Sequence, residues 1–156
     1  MKKILLLVLC ICTLSSCKDK EEKTVEELMT EIRQSYDSGN DVMCLRNIDT
    51  LRQRHPKAVE ARKEALEIFQ KASLRLAQKT LASVDSSLLV EQNKFRTLDS
   101  VVAAHKEQGI ATEEELTSLT LQRLKRDSLQ TRFDVLCAEI RYIRARQKQY
   151  ADEEKK

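Results

Sequence analysis

From Lys57 to Gln108 the chain contains neither glycine nor proline, and no cluster of polar turn residues interrupts it. A stretch of that length without a breaker reads as one helix, about 75 Å long at 1.5 Å per residue. The whole chain of 156 residues has only 2 Gly and 1 Pro. That is too few to punctuate a sandwich, a barrel or a βαβ array, whose turns depend on these residues. Gly39 and Gly109 stand alone, so a glycine-rich phosphate loop is excluded as well. The remainder is dominated by Glu, Lys, Arg, Gln, Leu and Ala, all good helix formers, and the expected class is all-α.

The long helix carries a heptad. Leu74, Leu81, Leu88, Phe95 and Val102 take one seam position, and Ala77, Val84, Glu91, Leu98 and His105 take the other. Gln108-Gly109 ends it, and Thr112-Glu113-Glu114-Glu115 is a capping box that opens a further helix to about Tyr150. That helix has its own seam of Leu129, Phe133, Leu136, Ile140 and Ile143, while Leu116, Leu119, Leu121 and Leu124 fall out of phase with it. The mismatch predicts a stutter. Two seamed helices joined by a short Gly turn fold back antiparallel, so residues 57–150 are expected to form a two-helix coiled-coil stalk. Residues 151–156 read as a frayed charged tail.

Residues 24–56 read as a shorter helical hairpin. Thr24-Val25-Glu26-Glu27 is a capping box, and Leu28, Ile32 and Tyr36 share one face. Ser38-Gly39-Asn40 stops the first helix, Asp41 is placed to cap the second, and Pro56 ends the second and opens the third. Cys44, Leu45, Ile48 and Leu51 line the inner face. The spacing of Gly39, Cys44, Ile48, Leu51 and Pro56 resembles a tetratricopeptide repeat, where that family has Gly, Ala, an aromatic, Ala and Pro. Three of the five residue types depart from the pattern. A single repeat cannot build the concave peptide groove of an array, which needs about three.

The N-terminus has a distinct character. Lys2 and Lys3 precede an apolar run, Ile4 to Cys12, that is too short for a stable membrane span and fits a signal peptide. Leu14-Ser15-Ser16-Cys17 resembles the lipobox of bacterial lipoproteins. The resemblance implies cleavage between Ser16 and Cys17, a diacylglyceryl group on the Cys17 thiol and a fatty acyl chain beside it, with no other cofactor. Residues 1–16 would then be the signal and 17–23 a lipidated charged tether. Lys18-Asp19-Lys20-Glu21-Glu22 resembles the export signal of Bacteroidota surface lipoproteins, so the expected location is a lipid anchor in the outer membrane, facing either the periplasm or the cell surface. Removing residues 1–16 takes two lysines, moving the formal charge from +3 to +1. No nucleic-acid partner is expected at that balance.

Few residues invite chemistry. His55 sits before Pro56 at a helix end, and His105 occupies a seam position, with no further ligand near either at zinc spacing, so no metal is expected. Folding about Pro56 and about Ile110 places Cys44 level with about residue 68 and Cys137 with about residue 84, some 24 Å apart along the rod. A disulfide tolerates about 7 Å between Cα atoms, so no bridge is expected. Residues 116–150 hold eight Lys and Arg against three acids. Arg141, Arg144 and Lys148 share a face, which reads either as a solvated face paired to neighbouring acids or as a docking stripe for an acidic partner or lipid phosphates. Nothing in the order of Ser, His and Asp residues points to an enzyme, and a two-helix stalk has no volume for a small-molecule substrate. The expected function is a membrane-anchored, non-catalytic interaction or structural module of the cell envelope, docking another envelope protein. The alternative is a periplasmic holdase resembling the OmpH-type chaperones, which also use long basic helical hairpins.

Overall fold

The structure, a computed structural model of the chain, describes residues 23–153. The expected signal segment, the Ser16–Cys17 cleavage site, the lipidation of Cys17 and nearly all of the tether lie outside the described residues. The fold is all-α, with helices α1 (Val25–Asp37), α2 (Asp41–Arg54), α3 (Val59–Glu107) and α4 (Glu113–Glu153).

Local signals set the helix ends. Thr24 caps α1 in a complete box: its Oγ1 accepts the Glu27 N–H at 3.2 Å while Glu27 Oε2 accepts the Thr24 N–H at 2.8 Å. Thr112 and Glu115 repeat the device at α4, at 3.2 and 3.0 Å. The two glycines, with φ of 75° and 71°, take the left-handed conformation that ends α1 and α3. In both cases the residue after the glycine donates its N–H five residues back, Asn40 to Ser35 and Ile110 to His105.

Three boundaries differ from expectation. Asn40, not Asp41, caps α2, accepting the Met43 N–H on Oδ1 at 3.2 Å. Asp41 is instead the first helical residue, 3% exposed, because two cations on α3 claim it. Pro56 does not open α3; it sits at the second position of a turn closed by the Ala58 N–H on the His55 carbonyl at 3.1 Å, a site suited to its fixed φ. Ala151, Asp152 and Glu153 continue α4 rather than fray from it.

The head is a three-helix core. Leu28, Met29 and Ile32 of α1 and Cys44, Ile48 and Leu51 of α2 bury against Ala65 and Ala72 of α3. The small alanines let two helices approach α3 closely, and each fully buried Leu or Ile contributes about 1.5–3 kcal/mol. Arg75 latches the far side of this head. It donates to Asp41 Oδ1 and to the Tyr36 carbonyl, both at 2.7 Å, and stacks 4.5 Å from the Tyr36 ring centroid.

Beyond Lys79 the stalk is α3 against α4 alone. Every expected α3 seam position from Leu74 to His105 is buried or half-buried. The α4 seam corrects the expected stutter. Glu115, Leu119, Gln122, Arg126, Leu129, Phe133, Leu136, Ile140 and Ile143 follow at unbroken steps of four and three, all at least half-buried. Gln122 and Arg126 hold seam positions because each has a partner across the stalk, Glu91 and the Phe95 ring. Of the four leucines that broke the pattern, Leu119 joins the seam at 8% exposed, while Leu116, Leu121 and Leu124 point outward at 38, 61 and 60%.

Candidate functional site

The two ends of the rod differ. At the closed end lies the Gly109 turn. At the open end, α1 and α4 both stand beside α3, yet no residue of one lies within 8 Å of the other, Cα to Cα. The gap is a groove of about 1130 Å³. Its floor is the start of α3 around Ala61 and Leu66; Val25 and Met29 of α1 form one wall, and Tyr150 and Glu153 of α4 the other. Glu26, Glu60, Glu64, Glu67 and Glu153 ring it, against Arg33 and Lys63. Arg33 is already engaged, donating to both Glu64 oxygens at 2.7 and 2.8 Å. The groove therefore offers apolar walls beneath a net acidic rim, suited to a cationic amphipathic segment. The acidic i, i+4 pair Glu60 and Glu64 is visible in the sequence, but the groove exists only because α4 returns beside it.

The same end holds the start of the described chain. His55 Nε2 donates to the Lys23 carbonyl at 3.0 Å, pinning residue 23 to the α2–α3 turn. His105, at the other end, faces Glu115 with 2.7 Å from Nδ1 to Oε1. The Thr112 backbone N–H, and then His105, hold the Glu115 carboxyl below its usual range. Among the described residues no three His, Cys, Asp or Glu side chains converge on a common point.

Arg141, Arg144 and Lys148 are all exposed on α4, and none makes an ion pair among the described residues. They flank the helix face rather than line the groove. The two described cysteines are both free. No residue of α2 lies within 8 Å of α4, Cα to Cα, so Cys44 and Cys137 cannot bridge. Their separation along the rod is about half the expected 24 Å, since Cys44 packs with Ala72 and Cys137 lies one residue from Leu136, which shares a depression with Thr80. Seam packing, not the turn midpoint, sets the register. Burial, and then the Asp41 charge, push the Cys44 thiol up, as befits a core thiol.

One polar cluster was not anticipated as such. Glu91, 5% exposed in mid-stalk, accepts from Gln122 at 2.7 Å, Lys94 at 2.9 Å and Lys125 at 3.1 Å. These donors, Gln122 foremost, hold its carboxyl down at about 2. It fixes the stalk register rather than offering a reactive group.

No family model matches the chain, and neither the curated proteins nor the solved structures contain a match to it.

Proposed function

We propose that the chain is a lipid-anchored, non-catalytic interaction module of the bacterial cell envelope, which captures a cationic amphipathic segment of another envelope protein in the acidic groove. The observation that carries this reading is the coincidence of groove and tether at one end of the rod. Lys23 is pinned at the groove end, six residues from Cys17, so an acylated Cys17 would hold the groove within about 20 Å of a membrane. Two or three acyl chains on one cysteine give stable anchoring.

Two measurements test it. Cells expressing the chain and fed radiolabelled palmitate are expected to label it, and Cys17→Ala to abolish the label. Label that survives Cys17→Ala refutes the anchor. A photo-crosslinking residue at Glu60 is expected to trap an envelope protein in intact cells, and the pair Glu67→Lys and Glu153→Lys to remove that adduct. An adduct indifferent to this charge reversal refutes the groove as the docking site. Protease shaving of intact cells then separates surface from periplasmic display.

A further inference from the structure

The outer face of α4 carries a second stripe. Two residues beyond each seam position runs a series from Thr117 to Gln149, again at alternating steps of four and three. All ten members are exposed and none is charged, in a chain with 34% charged residues. Four are large: Leu121, Leu124, Val135 and Tyr142 are 61, 60, 59 and 65% exposed. A solvated helix face is normally where charge collects. A seam-like repeat kept free of charge fits another helix with the same period.

We infer that this stripe pairs with its own copy on a second chain, antiparallel, to form a four-helix stalk. The flanking charges select both the occupant and the direction. One side of the stripe carries Asp127 and Asp134, then Arg141 and Lys148; the other carries Lys125 and Arg132, then Glu139 and Arg146. In the antiparallel register that sets Leu124 against Tyr142, and Leu121 against Ala145, Asp127 meets Arg141 and Lys125 meets Glu139, each twice by symmetry. Like charges meet only at the two-fold axis. Parallel pairing instead sets Asp134 against Glu139 and Arg141 against Arg146, twice each, and keeps only the contact of Asp127 with Arg132. Rows of this kind decide helix orientation in coiled coils. The stripe is about 48 Å long and one helix wide, so two copies cover about 1,000 Å², the lower bound for a specific interface. The inference does not depend on the lipid anchor, and it gives Arg141 and Lys148 a role that the groove does not.

The full chain in density-matched non-ionic detergent is expected to sediment at twice the monomer mass at about 100 µM. Leu124→Lys with Tyr142→Lys is expected to restore the monomer at that concentration, and to leave the thermal midpoint of the dilute, monomeric chain unmoved, both side chains being exposed in the single chain. With Cys137→Ser removing the half-exposed thiol, Val135→Cys near the axis is expected to cross-link through a short bismaleimide. Leu121→Cys, about 36 Å from its copy in this register, is not. A monomer at the highest concentration, a dimer that survives the double lysine variant, or linkage through Leu121→Cys in place of Val135→Cys each overturns the inference. So does a monomer that binds phosphatidylglycerol vesicles through the stripe, which would assign the face to a lipid surface.

Discussion

Leu88 and Leu89 are neighbours in the chain with identical side chains, yet Leu88 is 5% exposed and Leu89 60%. Truncating each to alanine therefore isolates what the stalk seam contributes. Leu88→Ala removes three carbons from the seam, about 2.4 kcal/mol at roughly 0.8 kcal/mol per carbon. The void it leaves opens to water at the edges of a two-helix interface, so the cavity term stays small and the total is about 2–3 kcal/mol. For a chain of this size that lowers the thermal midpoint by about 5–10 °C. Leu89→Ala removes the same atoms from a solvated face and is expected to cost under about 0.5 kcal/mol. Thermal unfolding followed by circular dichroism at 222 nm, with both variants at the same dilute concentration, decides it. Equal losses in the two variants, or no loss in Leu88→Ala, would refute the paired-helix seam.

Acid unfolding tests the two buried carboxylates. The Glu91 carboxyl lies at about 2 when folded, against 4.5 unperturbed, so its contribution is complete above about 4.5 and fades as pH falls toward 2. Glu91→Gln is expected to flatten that limb of the midpoint-versus-pH curve; an unaltered curve would show that Lys94, Lys125 and Gln122 do not hold the carboxylate. Burial pushes the Asp41 carboxyl up, but Arg75 and Lys79 outweigh it and hold it below 3.8. Its contribution is likewise lost on acidification, so Asp41→Asn should lower the midpoint at neutral pH and converge with the parent below about 3.8. At Gly109 a Cβ would meet no atom within 4 Å, leaving only the positive φ to penalise Gly109→Ala. Its expected cost is about 1–2 kcal/mol by chemical denaturation, and a neutral result would mean the turn rearranges.

The chain order announced the class and most helix ends, because capping boxes, C-terminal glycines and missing breakers act within a few residues of themselves. The heptad of α3 was equally legible, since Leu, Val and Ala held most of its positions. The first half of α4 was not, and the reason lies in Gln122 and Arg126. A pattern of apolar residues treats both as surface, while Glu91 and Phe95, about thirty residues earlier, make the seam the better place for them. Asp41 followed the same logic: next to a glycine turn it looked like a cap, and only Arg75 and Lys79 made it a buried anion.

What the amino-acid order determined alone is an all-α rod with two turns at glycine and one at proline. Its N-terminal Leu14-Ser15-Ser16-Cys17 resembles a lipobox, a likeness written in residues that need no fold to be read. The tertiary structure decided which leucines face water, that the acidic groove and the start of the described chain at Lys23 share one end, and that α4 keeps an uncharged stripe on its free face. Those properties depend on pairing between helices far apart in the chain. The register of that pairing comes from side-chain partners, not from local propensity.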